Sequence, residues 1–261
     1  MSDPILLLRL EGPLQSWGAR SRWDVRDTQP EPTKSGVVGL LGCALGCERG
    51  DPRLVELDQA LRMGVRVEAP GRVREDFHTI TDFLPTAAGD FKVSGGTKSA
   101  QALRADPNAR PATILSPRFY LEDAAFLVAL AAPGDGELLA RCADALRRPQ
   151  WPLFLGRKAC PATRPILDAL TEDYADMKDA LRRHPWSWLA GGGHSRTRQD
   201  VERERRMDAR DITLDAFVED PQGPLTRQDA LRLNAARAYG FRQVRPLDPI
   251  PLRDVYPTEV S

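Results

Sequence analysis

The sequence predicts an α+β protein built on a modified ferredoxin-like sheet. Three observations carry that reading: an apolar run over 5–10, a strand hairpin about Pro70-Gly71, and helical segments placed after the first strand and before the last. The expected order is strand, helix, strand, strand, arm, strand, helix, strand, which suits such a sheet.

Each element has a local reason. Residues 5–10 are closed by Glu11-Gly12-Pro13 and read as a buried strand. Residues 13–33 make an irregular loop rich in Arg and Pro. Thr33 or Ser35 can cap a helix running to about Cys47, in which Gly36, Gly39, Gly42 and Gly46 share an arc of roughly 120°. Each glycine costs about 1 kcal/mol against alanine in a helix. That arc anticipates close approach by a sheet, a neighbouring chain or a nucleic-acid backbone.

Asp51-Pro52 starts a second helix with Leu54, Leu57 and Leu61 on one side. Met63, Val65, Val67 and Ala69 alternate as a half-buried strand, and Pro70-Gly71 turns it into a second strand over 73–80. Residues 82–117 lack sustained periodicity and read as a projecting arm. A strand centred on Phe126-Leu127-Val128 follows. Asp135 then caps a helix with Leu138, Leu139, Cys142 and Leu146 inward, and 151–155 is a further strand.

Beyond 165 the pattern predicts an amphipathic helix through Leu170, Tyr174, Met177 and Leu181. A hinge at Gly191-Gly192-Gly193, a charged exposed segment over 196–210 and a strand within 212–218 follow. A loose tail with Pro246, Pro249, Pro251 and Pro257 ends the chain. The expected organisation is a domain over 1–165, including the arm at 82–117, and a smaller C-terminal extension over 166–261.

Composition narrows the function. Lys and Arg total 37, as do Asp and Glu, so the 261-residue chain is formally neutral. Taken alone, this argues against a highly basic nucleic-acid-binding protein. The charge is unevenly placed, however. Residues 141–164 carry Arg141, Arg147, Arg148, Arg157, Lys158 and Arg164 against Asp144 alone. Residues 92–118 are also basic, and 168–179 are acidic. Arg outnumbers Lys 32 to 5; a GC-rich genome can produce this, and planar guanidinium forks also suit phosphate and base contacts. Cys43, Cys47, Cys142 and Cys160 are too few for a disulfide scaffold and read as small buried hydrophobes. The N-terminal apolar run is too short for a signal-peptide core, and 36–47 falls well short of a ~20-residue membrane span. A soluble cytoplasmic protein without cofactor or metal is expected.

The usual catalytic templates fail. Lys34-Ser35 lacks the glycine pattern of a phosphate-binding loop, and no dinucleotide fingerprint, nucleophile elbow or His-Glu-x-x-His is present. His78 could be a general base in RNA cleavage, though no acid partner is evident, or a structural or RNA-contact histidine. His184 and His194 read as surface residues. A denser constellation precedes the first helix: Trp17 and Trp23 could stack on bases, Arg20, Arg22, Arg26 and Lys34 supply charge, and a helix start favours phosphate. The alternative makes both tryptophans core and pairs the arginines with Asp24, Asp27 and Glu31.

Four segments, in order, resemble a known family. They are Leu8-Arg9-Leu10-Glu11-Gly12-Pro13-Leu14-Gln15-Ser16-Trp17-Gly18, Pro32-Thr33-Lys34-Ser35-Gly36-Val37-Val38-Gly39-Leu40-Leu41-Gly42, Asp76-Phe77-His78-Thr79, and Leu155-Gly156-Arg157-Lys158-Ala159-Cys160-Pro161. They resemble the CasD subunits of type I-E CRISPR Cascade, CRISPR-associated protein family five of the RAMP superfamily. The resemblance implies an RRM-like domain whose thumb is the arm at 82–117. It implies a non-catalytic subunit that grips the 5′ handle of the CRISPR RNA, kinks the guide with its thumb, and abuts the Cascade backbone subunit and large subunit. It meets target DNA only indirectly. Type I-C relatives instead process precursor CRISPR RNA, a metal-independent endoribonuclease alternative that would need His78 with Tyr120 or Lys98 as the acid.

The implied RNA-facing positions are Gln15, Trp17, Lys34, Ser35, His78, Arg157 and Lys158. Charge adds Arg20, Arg22, Lys92 and Lys98. Lys34 stands where an Arg is common, keeping charge but losing the bidentate fork. The chain after 165 departs most from the family pattern.

Overall fold

The computed structural model describes residues 3–19, 25–186, 212–231 and 239–255. In chain order its elements are β1 (Ile5–Glu11), β2 (Leu14–Gln15), α1 (Lys34–Leu45), α2 (Arg53–Ala60), β3 (Arg62–Ala69), β4 (Arg72–Asp82) and β5 (Phe91–Val93). Next come β6 (Gly96–Lys98), α3 (Ala100–Ala105), β7 (Ala112–Glu122), β8 (Ala125–Ala131), α4 (Gly136–Arg147), β9 (Leu167–Thr171) and α5 (Met177–Arg183). The chain closes with β10 (Thr213–Leu214), β11 (Ala216–Glu219), β12 (Leu225–Leu231), β13 (Tyr239–Pro246), β14 (Ile250–Pro251) and α6 (Leu252–Val255). Two units result: Met1–Ala19, Thr28–Arg74 and Tyr120–Ser261 form the first, and Arg20–Asp27 with Glu75–Phe119 form the second.

The first unit is organised by β1, all seven of whose residues are buried. Its side chains alternate across the sheet. Leu6, Leu8 and Leu10 join the core beneath α1 and α4, while Ile5 and Leu7 join a second core with Leu181 of α5, Val218 of β11 and Leu252 of α6. The sheet is antiparallel throughout, in the order β12-β13-β11-β3-β8-β1-β9. Within it, β9-β1-β8-β3 with α1 and α4 is the ferredoxin-like arrangement that the sequence predicts.

Helix starts follow the expected chemistry. Thr33, with extended backbone, caps α1 by accepting from Gly36 N at 3.3 Å. Asp135 caps α4 by accepting from Leu138 N at 3.0 Å, and Leu138, Leu139, Cys142 and Leu146 face inward. Gly46 ends α1 in the left-handed region, at φ 70°. Of the remaining α1 glycines, Gly36 meets Trp17 and Gly42 meets Leu54, whereas Gly39 is exposed with no atom within 4 Å of where a Cβ would stand. Cys47, Cys142 and Cys160 are buried and Cys43 is half-buried. Burial pushes the Cys142 thiol up to about 11.

A charged cluster lies on the second face of the sheet. Arg9 on β1 donates to Glu68 at 3.1 Å, Asp168 at 3.0 Å and Pro185 O at 2.6 Å. Arg66 binds Glu68 and donates to Leu181 O at 2.6 Å. His184 sits between Asp168 (2.7 Å) and the Tyr174 hydroxyl (2.9 Å). It is half-buried rather than a surface residue.

The second unit is described on its own. β5 and β6 pair as a hairpin with Val93 buried, Ser99 caps α3, and Thr81 Oγ1 lies 3.0 Å from Thr113 Oγ1. Val25, Phe77 and Leu115 are exposed apolar side chains of this unit.

Several expectations need correction. Residues 82–117, whose sequence lacks sustained periodicity, nevertheless hold β5, β6, α3 and the first part of β7. The strands flanking Pro70-Gly71 form no hairpin: β3 pairs with β8 and β11, and β4 lies in a separate sheet of order β2-β7-β4. Residues 151–155 carry only a Phe154–Pro161 bridge, and the fourth ferredoxin strand is β9. Leu170 belongs to that strand, so the helix spans only Met177–Arg183, begun by Asp176. The boundary at 165 runs through the sheet, because β9, β11, β12 and β13 complete it. The tail includes β14 and α6 rather than loose chain up to Val255. Gly191-Gly192-Gly193, His194 and 196–210 lie outside the described residues.

Leu8→Ala should cost about 2–5 kcal/mol in urea unfolding, because it empties a site in the main core. Gly39→Ala should instead stabilise by up to about 1 kcal/mol, since the added methyl enters open space. Burial disfavours the Asp168 charge, but the His184 hydrogen bond and the Arg9 guanidinium outweigh it and hold its carboxyl below the usual range. Such a carboxylate contributes stability above its unfolded value near ~3.9 and loses it as pH falls through the folded one. Asp168→Asn should therefore be less stable at neutral pH, with the gap to the parent closing below about pH 4; melting curves across pH check this.

Candidate nucleic-acid interface

Two segments far apart in sequence form one surface in the first unit. The turn after β2 is fixed from within by Gln15, which is fully buried. Its Nε2 donates to Leu10 O at 3.1 Å and Ala124 O at 2.7 Å, and its Oε1 accepts from Trp17 Nε1 at 3.0 Å. Trp17 N donates to Thr28 Oγ1 at 2.9 Å, and Trp17 O accepts from Gln29 N at 2.8 Å. The indole is 1% exposed and stands where a Cβ on Gly36 would lie 2.9 Å away. Gln15 and Trp17 therefore shape the turn and offer no stacking face, which corrects the expectation that they meet RNA.

The loop Leu155-Gly156-Arg157-Lys158-Ala159-Cys160-Pro161 seats on that turn. Ser16 N donates to Leu155 O at 3.1 Å, and Leu155 N to Cys160 O at 2.7 Å. Gly156 has φ +93°, and a Cβ there would fall 1.8 Å from Ser16 O. Only glycine permits this approach. The next residue, Arg157, is half-buried with its guanidinium 4.7 Å from the centre of the Tyr120 ring, a cation–π contact. Lys158 is exposed. Two motifs thus converge, and the loop carries Arg157 and Lys158 beside the turn.

The start of α1 differs from expectation. Lys34 is 3% exposed, its Nζ is 2.9 Å from Glu219, and its backbone N donates to Asp229 Oδ2 at 2.8 Å. Arg242 grips the same Asp229 at 2.7 and 2.9 Å. The Lys34 charge and amide are both engaged within the protein, so neither is presented to a phosphate. Ser35 is half-buried. Close by in charge, Asp58 has its carboxyl pushed up by burial, against the pull of Lys34. Asp229 and Glu219 escaped the sequence reading because they stand 195 and 185 residues from Lys34, and no local motif marks them.

In the second unit, His78 on β4 and Lys92 on β5 are exposed, while Lys98 forms an ion pair with Asp106. Tyr120, in the first unit, is buried. The Tyr120 ring and the Lys98 ammonium are thus each engaged within the protein. Arg20, Arg22 and Trp23 lie outside the described residues. Among the described residues, no cluster of His, Cys, Asp or Glu could hold a metal ion, and no helix is long and apolar enough to cross a membrane.

Comparison with known proteins agrees with the motif reading. A family model described as CRISPR-associated protein (Cas5) matches residues 5–245. The CRISPR system Cascade subunit CasD of Escherichia coli (strain K12) is 33% identical over 190 residues, covering 69% of this chain and 77% of that protein. A solved structure titled "Crystal structure of Cas protein" is 33% identical with a TM-score of 0.64, covering 97% of both chains. A chain of "CRISPR RNA-guided surveillance complex" is 31% identical with a TM-score of 0.66, covering 95% of this chain and 92% of its own.

Gly156→Ala should be strongly destabilising, because a methyl cannot fit 1.8 Å from a backbone oxygen at a positive φ. Lys158→Ala, on an exposed side chain, should leave stability within about half a kcal/mol of the parent. Equal melting temperatures for Gly156→Ala and the parent would show that the loop does not seat as described.

Proposed function

The chain belongs to the CRISPR-associated Cas5 family, and we propose that it is the non-catalytic RNA-binding subunit of a type I-E Cascade complex. In this reading it grips the 5′ handle of the CRISPR RNA, and residues 82–117 act as the thumb that kinks the guide. Its neighbours are the backbone subunit and the large subunit. The observation that carries the reading is the 155–161 loop seated on the Gln15–Gly18 turn, which holds Arg157 and Lys158 on one rigid support. Phosphate contacts from such cations fix position, while splayed single-stranded bases are read by stacking and hydrogen bonds. Ser35, His78 and Lys92 are the further contacts assigned to RNA.

The formal neutrality of the chain is compatible with this role, because grip by a few placed cations needs no bulk positive charge. The CasD relative is named as a Cascade subunit, and a second relative comes from an RNA-guided surveillance complex. Both support assembly into a ribonucleoprotein.

Binding of handle RNA, followed by fluorescence anisotropy over a salt series, tests the grip. Replacing Arg157 and Lys158 together by Ala should weaken binding and lower the slope of log affinity against log salt by about 0.7 for each phosphate no longer neutralised. Unchanged affinity and slope would sink the role given to this loop. Repeat RNA incubated with the protein in EDTA should stay intact. A specific cut upstream of the handle, abolished by His78→Ala, would establish the endoribonuclease instead.

A further inference from the structure

We infer that Asp229 is a positioning residue that sets which side of α1 faces RNA, an inference that rests on the RNA-binding reading above. Asp229 Oδ2 accepts the amide of Lys34, the first residue of α1, at 2.8 Å. Arg242 holds the same carboxylate through two bonds, from Nε at 2.7 Å and Nη2 at 2.9 Å. Glu219 takes the Lys34 ammonium at 2.9 Å. Arg227 reaches Glu31, just ahead of the helix, at 2.6 Å. Strands β11, β12 and β13 thus tie down the helix start by backbone, by side chain and by its lead-in segment.

The geometry gives this clamp a consequence beyond cohesion. Lys34 and Asp229 are each 3% exposed, so the pair is shielded from water and salt. Charge-assisted bonds in such a setting are short and directional. Successive residues of an α-helix are about 100° apart around the axis, so fixing Lys34 inward fixes the rotation of the whole first turn. Ser35 is half-buried, and Gly39, one turn on, is exposed with open space above it. The carboxylate of Asp229 also occupies the helix start that a phosphate would otherwise use. The clamp therefore leaves the outer Ser35–Gly39 side, and not the helix terminus, for RNA to approach. The C-terminal strands thereby become part of the grip without touching the ligand.

The test compares Asp229→Ala, Asp229→Asn and Arg242→Lys in the full-length protein, each below its own melting temperature. The readouts are handle-RNA affinity, its salt slope, and hydrogen exchange at the Lys34 amide. Asp229→Ala should speed Lys34 exchange and weaken binding about tenfold, with the salt slope little changed because the Ser35–Gly39 side carries no cation. Asp229→Asn keeps an acceptor for the amide and should fall between Asp229→Ala and the parent. Arg242→Lys keeps the charge and should bind most like the parent. A stability role alone would leave the affinity of folded protein unchanged. Parental affinity in folded Asp229→Ala would overturn the inference while leaving the functional reading intact. If Asp229→Ala fails to fold, Asp229→Asn decides: faster Lys34 exchange with parental RNA affinity overturns it. A parent protein that does not prefer handle RNA over an unrelated RNA of equal length overturns the functional reading and this inference with it.

Discussion

The two-sided burial of β1 is the constraint from which the rest of the first unit follows. A strand with both faces buried needs a layer on each, and both layers must be supplied by later parts of the chain. α1 and α4 cover the face of Leu6, Leu8 and Leu10. The face of Ile5 and Leu7 is closed by α5 together with residues from β10, β11, β14 and α6. Those elements all lie after residue 165, so the chain beyond 165 is not an appendage to what precedes it.

Burial on the second face brings a polar problem, because Arg9 lies within β1 itself. A buried guanidinium without acceptors would be severely destabilising. Here Arg9 meets Glu68, Asp168 and the Pro185 carbonyl, and Arg66 shares Glu68. The partners come from β3, β9 and the segment after α5, so satisfying one side chain links three parts of the fold. Replacing such a set with apolar residues can be neutral or stabilising, whereas removing a single member leaves an uncompensated charge. The network therefore specifies how strands and α5 meet more than it adds net stability. At the start of α1, Lys34, Glu219, Asp229 and Arg242 repeat this logic on the other face.

Elements whose stabilisation is local were legible in the sequence. The caps at Thr33 and Asp135 and the inward stripe of α4 each rest on neighbours within a few residues, whereas β3, expected to be half-buried, is buried on both faces because Arg66 and Glu68 meet the distant Leu181 carbonyl and Arg9. Elements that depend on distant partners were not. Leu170, Tyr174, Met177 and Leu181 have helical spacing, yet Leu170 pairs with Leu6 across two strands and only the later part is helix. β12 and β13 carry charged inward positions, Asp229 and Arg242, which read as surface until their mutual pairing is known. The site divides in the same way. The convergence of the Gln15–Gly18 and 155–161 motifs could be suspected from their family order, but the burial of Lys34 depends on residues almost two hundred positions away.

The formal neutrality of the chain then takes on a specific meaning. The buried networks consume Arg9, Arg66, Lys34 and Arg242 against Glu68, Asp168, Glu219 and Asp229, equal numbers of each sign. Setting those pairs aside leaves the remaining charge as balanced as the whole, so they conceal no excess of positive charge that could attract nucleic acid at long range. Affinity in a protein of this kind must come from placement, since exposed charges more than about 10 Å apart are largely screened at ordinary salt. Placement is what the 155–161 loop supplies. Gly156 allows the backbone to seat against Ser16, the Tyr120 ring holds Arg157, and Lys158 is left at the surface beside it. A basic residue on a mobile loop would spend conformational entropy on binding, whereas these have their backbone fixed in advance by the same turn that Gln15 and Trp17 lock from below.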